Sequence, residues 1–247
     1  MTPQELATLL GLLLAHLSGD FLLQPRRWVD ERRRHKRRSR ALYLHAGIHG
    51  LLVLLVLGIA GSTFTVTITG ALLVAITHGV IDLGKAYLAP HRLRWFLLDQ
   101  LLHLVVLVGV WLTWLGSLQP LTDAITWLVS PSALTLTAAY LLITRPMAIA
   151  IALAMRPWSE DVADPGTLIA AGARIGMLER FLVLTLVLLD ELTAVGFLLT
   201  AKSVLRFGDL RERSDRKLTE YVLLGTLLSV SATVALGLVV RFHLSGI

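Results

Sequence analysis

The chain has 247 residues, 55% of them hydrophobic and only 16% charged, with a mean hydropathy of +0.71, a composition too apolar for a water-soluble domain of this size. Lys and Arg outnumber Asp and Glu by 23 to 17, but the excess sits in short segments between apolar runs, so the basic balance reports membrane topology and no nucleic-acid surface. Cysteine is absent, which excludes disulfides, iron–sulfur clusters and thiolate metal sites and leaves nitrogen and oxygen to hold any metal.

A hydrocarbon core about 30 Å thick takes roughly 20 apolar residues per helix. The first such run, near 4–24, has no basic residue before it and no small-residue cleavage pattern after it, which predicts a retained helix instead of a removable signal peptide. Arg26 to Arg40 follows, with nine basic residues (Arg26, Arg27, Arg32, Arg33, Arg34, Lys36, Arg37, Arg38, Arg40) against Asp30 and Glu31. Positive-inside bias sets this segment in the cytoplasm and the N-terminus outside. Topology alone accounts for such a charge run; contact with anionic membrane lipid, or with a phosphate-bearing substrate, is the further role open to it.

Three more runs follow near 42–61, 64–88 and 93–115. The turn at Gly61 and Ser62 has no basic residue, whereas Lys85, Arg92 and Arg94 flank the next one, in keeping with the same orientation. Residues 120–155 form a less regular apolar stretch interrupted by Pro131, Arg145 and Pro146, and runs near 178–200 and 219–241 complete the chain. The expected fold is an all-α polytopic transmembrane bundle of about seven crossings, divided into a four-helix core over 1–115 and further membrane helices over 116–247.

The basic loop 202–217 (Lys202, Arg206, Arg211, Arg213, Arg216, Lys217) looks cytoplasmic, yet seven crossings would leave it outside. Something within 116–177 is then not a plain single crossing: 120–155 crosses twice about Pro131, or one piece is re-entrant or interfacial. Asp190 and Glu191 fall too deep in the 178–200 run for ordinary flanks. A structural ion pair with Arg145 or Arg174 is the expectation for them, with proton handling or substrate gating as the alternative. Lys202 and Glu220 are placed to meet across the loop, and Arg241 and His243 read as interfacial.

Ionisable residues inside membrane helices are costly and rare. The first run carries His16-Leu-Ser-Gly-Asp20, the second His45-Ala-Gly-Ile-His49, the third His78-Gly-Val-Ile-Asp82 and the fourth Asp99-Gln-Leu-Leu-His103. Residues four apart on an α-helix share a face, so each pair can present two ligands to one centre, and bundles of four such helices are a known way to hold two metals. Depth agrees. Asp20 lies six residues before Arg26, His45 five after Arg40, Asp82 three before Lys85 and Asp99 five after Arg94. At about 1.5 Å per residue, all four pairs fall in one layer roughly 5–15 Å below the basic surface.

Taken singly, each histidine would be a hydrogen-bonded core residue; eight residues in four matched pairs at one depth point to one or two divalent metal ions. Five imidazoles and three carboxylates exceed what one tetrahedral ion takes, and a sulfur-free donor set suits Zn, Mn or Fe. Such ions activate water and clamp a phosphoryl or acyl oxygen. A proton relay is the competing use of the same residues. Gln24 and Lys85, just on the cytoplasmic side of the layer, are candidates for substrate contact, or for capping and snorkelling at the interface.

These motifs, Leu-Leu-Ala-His16-Leu-Ser-Gly-Asp20-Phe-Leu-Leu-Gln24-Pro25 and the three pairs that follow, together with Ile175-Gly-Met-Leu-Glu179-Arg180, the stretch from Gly196 to Phe207, and Glu220-Tyr-Val-Leu-Leu-Gly225-Thr226, resemble a family of bacterial inner-membrane proteins catalogued only as a domain of unknown function. The resemblance implies a multi-pass protein of the bacterial cytoplasmic membrane and no particular chemistry. In the style of its His and Asp pairs the chain is also similar to membrane-bound metal-dependent hydrolases. The His-x-x-His-His boxes of membrane desaturases are absent.

The expected function is therefore a metal-dependent membrane hydrolase. His16, Asp20, His45, His49, His78, Asp82, Asp99 and His103 would hold the metal, one of Asp20, Asp82 and Asp99 would act as general base, and a lipid-like or phosphate-containing substrate would arrive from the cytoplasmic leaflet. A transporter for a divalent metal or protons is the main alternative, but it requires polar residues across the whole membrane, and Leu51–Leu57 and Leu104–Leu112 are almost purely apolar. A di-iron-type oxidoreductase and a non-catalytic assembly or sensing protein are the others.

Overall fold

The computed structural model describes residues 1–88, 92–159, 169–207 and 215–246, and all regular structure among them is helical. Six spans are long and apolar enough to cross a membrane: Pro3–Leu22, Arg40–Ile59, Phe64–Lys85, Leu93–Leu115, Pro131–Trp158 and Thr219–Ser245. Leu14, Leu51, Ile59, Ile76 and Val105 are exposed on their outer faces while His45, His78 and Asp82 are buried. Apolar side chains outside and ionisable ones inside suit a chain surrounded by lipid, and together these features mark a multi-pass membrane protein. Two compact units divide at Asp123 and Ala124.

In the first unit, α1 (Pro3–Leu17) starts from a capping box in which the Thr2 hydroxyl accepts from the Glu5 N–H and the Glu5 carboxylate accepts from the Thr2 N–H. It runs on into a π-helical turn, Ser18–Leu22. The basic segment forms α2 (Arg26–His35), followed by α3 (Arg40–Ile59), α4 (Phe64–Lys85) and α5 (Leu93–Leu115). Ser39 and Thr63 cap α3 and α4 by accepting from the Leu42 and Val66 N–H groups.

Four of these helices close into a ring, α3 packing on α1 and α4, and α5 packing on α4 and α1. Toward the end remote from α2 the ring is filled by Leu12, Val53, Leu57, Val74, Leu107, Val110 and Trp111. There the Trp111 indole donates to the Glu5 carbonyl at 2.9 Å, tying α5 to α1. At the other end α2 packs on α3, and the 3-10 turn Lys36–Arg38 that follows it is fixed by the Tyr43 hydroxyl donating to the Arg37 carbonyl. α6 (Gln119–Leu128) carries the boundary between the units and buries none of its residues.

The second unit contains α7 (Pro131–Leu142), α8 (Arg145–Ser159), α9 (Ile169–Leu188), α10 (Leu192–Phe207) and α11 (Asp215–Ser245). Pro131 occupies the first position of α7 behind the cap residue Ser130, where its missing N–H costs no hydrogen bond. The apolar stretch 120–155 is interrupted just before it, since α6 ends at Leu128 and α7 starts at Pro131. A second interruption lies at Ile143 and Thr144, ahead of Pro146. Arg180, only 5% exposed, crosses from α9 and donates to the carbonyls of Ile143 at 2.6 Å and Thr144 at 3.3 Å. A long cationic side chain thus satisfies backbone oxygens that the break withdraws from the helical ladder.

The run expected at 178–200 is two helices. Asp190 adopts φ +67, the Glu191 N–H bonds to the Leu186 carbonyl and the Asp190 N–H to the Val187 carbonyl, the left-handed cap that most often uses glycine. α9 and α10 then run back along each other, held by Lys202 donating to Glu179 at 2.6 Å and by Val183, Val187 and Val195. Asp190 is consequently exposed at a turn and pairs with Arg241, not with Arg145 or Arg174. Of the basic loop 202–217, residues 208–214, with Arg211 and Arg213, lie outside the described residues.

Replacing Arg180 by Met is expected to leave the Ile143 carbonyl without its donor and to destabilise the protein by about 1–3 kcal/mol. Thermal unfolding of the detergent-purified protein measures it, and an unchanged Tm would show that the break needs no side-chain donor.

Candidate metal centre

All four expected pairs converge inside the first unit, between the apolar plug and α2. His16, His45, His49, His78, Asp82, Asp99 and His103 are each between 1% and 5% exposed, and the Asp20 side chain is 11% exposed. His45 and His49 come from α3, His78 and Asp82 from α4, Asp99 and His103 from α5, and His16 from α1. Asp20 departs from the expected geometry. It sits in the π-helical turn, where the Leu23 N–H reaches the Ser18 carbonyl five residues back, a local widening frequent at functional sites.

The wider turn carries Asp20 toward the neighbouring helices. One carboxylate oxygen, Oδ1, lies 3.2 Å from His45 Nε2, 3.2 Å from His49 Nε2 and 3.4 Å from His78 Nε2. The other, Oδ2, lies 3.7 Å from His16 Nε2 and accepts from the Gln100 amide at 3.1 Å. The approach requires Gly19: a Cβ there would fall 2.4 Å from two atoms of the His49 ring.

Three sets of donor atoms lie close enough to share an ion, each set within 4.8 Å: His16, Asp20, His49 and His78; His45, His78 and Asp82; and Asp20, Asp99 and His103. The second and third share no residue, so two ions could be held at once without any side chain serving both. The hydrogen bonding also suits cations. His45 Nε2 and His78 Nε2 are 3.1 Å apart, so one of the two must present a lone pair. Among the described residues, His45 Nδ1, His49 Nε2, His78 Nδ1, His103 Nε2 and Asp99 Oδ1 are buried without a well-aligned hydrogen bond, His49 Nε2 despite its 3.2 Å approach to Asp20 Oδ1. Unpaired buried polar atoms are rare and costly, and their concentration among nitrogen and oxygen donors fits Zn, Mn or Fe. His103 Nδ1 bonds to the Asp99 carbonyl at 2.8 Å, which leaves its buried Nε2 available to a ligand.

Two residues enter the site that periodicity does not pick out. Arg32, buried at 6% exposure, reaches down from α2 to an ion pair with Asp82. Its signal in the sequence is slight: with Val29 it forms an i, i+3 face on an otherwise charged helix. Gln100, beside Asp99, bridges His16, Asp20 and Asp99; an amide inside an apolar run is the trace it leaves. Lys85 bonds to Asp99. α2 is held over the site by Glu31, whose carboxylate accepts from the Ala41 N–H and the Ser39 hydroxyl. These bonds, the Ala41 one first, hold its carboxyl below the usual range, so the tie persists at neutral pH and is lost as pH falls through that lowered value.

Next to Arg32 and Lys85 is a cavity of about 310 Å³ bounded also by Gln24, Arg33, Arg92 and Phe96. Both residues expected to face substrate, Gln24 and Lys85, are on its wall.

The chain belongs to the family described as "Protein of unknown function (DUF3307)", whose profile matches residues 8–131, half of the chain. The matched span contains all eight expected ligands, Arg32, Gln100 and the cavity. Comparison with curated proteins and with solved structures finds no match.

Gly19→Ala is expected to displace the His49 ring, cost about 1–3 kcal/mol in overpacking and weaken divalent-ion binding at least tenfold in a calorimetric titration. Gly47→Ala, where an added Cβ meets nothing within 4 Å, should leave ion binding unchanged. Equal behaviour of the two variants would remove the role given to the close approach of Gly19 and His49.

Proposed function

We propose that this is a metal-dependent enzyme of the bacterial cytoplasmic membrane, a hydrolase acting on a lipid-like, phosphate-containing substrate from the cytoplasmic side. The observation that carries the reading is the convergence of four His/Asp pairs, with five buried polar atoms lacking a well-aligned hydrogen bond, at one end of the ring and beside a cavity. The basic segment Arg26 to Arg40 at that end is what an inner-membrane protein keeps in the cytoplasm.

Bound divalent ions would supply Lewis acidity for a phosphoryl oxygen and a more acidic water. His45, His78 and Asp82 would hold one, and Asp20, Asp99 and His103 a second, with His16 and His49 completing the set around Asp20. Gln100 orients Asp20 and Asp99 together, fixing the carboxylates before substrate arrives. Were only the ion at His45, His78 and Asp82 bound, Asp99 would be the carboxylate left to act as general base: Lys85 and Gln100 occupy one of its oxygens, and the other has no hydrogen-bond partner among the described residues. The apolar plug behind the site disfavours transport, since an ion moving outward would have to pass Leu12, Leu57, Leu107 and Trp111 without a polar group to replace its water.

Elemental analysis by mass spectrometry of the detergent-purified wild type and of a His45→Ala, His49→Ala double variant tests this reading. About one or two equivalents of Zn, Mn or Fe are expected in the wild type, with most of it lost in the variant while the variant stays in the membrane fraction. A wild type that takes up no divalent ion, or a variant that keeps its full content, overturns the metal centre.

A further inference from the structure

Among the described residues, the cavity beside the candidate metal centre is walled by four cations, Arg32, Arg33, Lys85 and Arg92, with the rings of Trp95 and Phe96, and by no carboxylate. Its volume of about 310 Å³ is at the small end of the range for ligand sites, about 300–1,000 Å³. Cations gathered around one space favour an anion among them, and guanidinium groups match phosphate oxygens in a bidentate geometry.

Two of the four cations have a second attachment. Arg32 is ion-paired with Asp82, and Lys85 with Asp99. Asp82 belongs to one of the two ligand sets that share no residue, and Asp99 to the other. Each prospective ion site therefore has one cation from the cavity wall on its carboxylate. With neutral imidazoles, three buried carboxylates, Asp20, Asp82 and Asp99, stand against two cations, a balance of −1. One divalent ion makes the balance +1, and two make it +3.

We propose that this cavity binds the phosphate group of the substrate, and that divalent ions at Asp82 and Asp99 free Arg32 and Lys85 to hold it. The inference rests on the reading above for the ions, not for the cavity. Arg33 and Arg92 bind the anion in either state. Arg32 and Lys85 join them once metal takes over the carboxylates they neutralise, so metal and phosphate each raise the other's affinity. Trp95 and Phe96 provide the apolar wall against which the rest of an amphiphilic phosphate ester would lie.

The experiment titrates inorganic phosphate into the purified full chain in detergent by calorimetry, after chelation and again with Mn²⁺ present, for wild type and for Arg33→Gln, Arg92→Gln. Both residues are exposed and touch no expected ligand, so equal Mn²⁺ uptake by the variant confirms an intact fold. The wild type is expected to bind phosphate at least tenfold more tightly with Mn²⁺, and the double variant at least tenfold more weakly than wild type in both conditions. Equal phosphate affinity in wild type and variant overturns the pocket. Equal affinity with and without Mn²⁺ overturns the transfer of Arg32 and Lys85. A chain that takes up no Mn²⁺ but still loses phosphate in the variant sinks the metal reading and keeps the pocket. Competition by dihexanoyl phosphatidate and by glycerol phosphate separates the two sources of the group: the lipid displacing phosphate at a tenfold lower concentration assigns the site to a lipid headgroup, the reverse order to a soluble ester.

Discussion

Burying three carboxylates and five imidazoles in one ring of apolar helices imposes a condition on everything around them: each charge and each polar atom needs a partner, because lipid and aliphatic side chains provide none. Asp20 meets most of that condition. Its two oxygens face side chains from every other helix of the ring, His45 and His49 on α3, His78 on α4 and Gln100 on α5. Reaching that position takes a π-helical turn and a glycine at position 19. The remaining charge is balanced from the basic end, where Arg32 and Lys85 meet Asp82 and Asp99. Even so, five polar atoms among the described residues lack a well-aligned hydrogen bond, and the proposed divalent ions would partner those that face the cluster.

The first unit is accordingly polarised along its axis. One end is an aliphatic and tryptophan plug that fixes how the helices pack, and the other is a polar layer under an amphipathic basic helix. An ion channel would need the reverse, a continuous polar path. A chemical site needs a dry back wall and a single mouth, because excluding water strengthens every electrostatic interaction inside. The second unit solves the cost of polar groups in lipid differently. There Arg180 serves backbone carbonyls at a helix break, and Glu179, Lys202, Asp190 and Arg241 pair at the two ends of the helices.

Periodicity and depth made the eight clustered His and Asp positions legible in the sequence, because an α-helix puts residues four apart on one face and the basic flanks locate the membrane surface. The same rule misplaced Asp20 slightly, since an i→i+5 turn has no residue signature and was read as ordinary helix. Arg32 was hidden among nine basic residues that look alike; only its packing beneath α2 separates it from neighbours that stay exposed. The hairpin between α9 and α10 was missed because its left-handed turn residue is Asp190, where a glycine would have marked the stop. Pro131 is legible as a breaker, and it marks both the gap after α6 and the first position of α7.

X-ray absorption at the metal edge of the protein as purified, before any ion is added, tests the central claim most directly. The account predicts a first shell of nitrogen and oxygen at about 2.0–2.2 Å, with the outer-shell scattering of at least two imidazoles and no sulfur. A shell of oxygen alone would mean that metal clings to surface carboxylates or water and that the histidine cluster is a structural core, which would contradict the account.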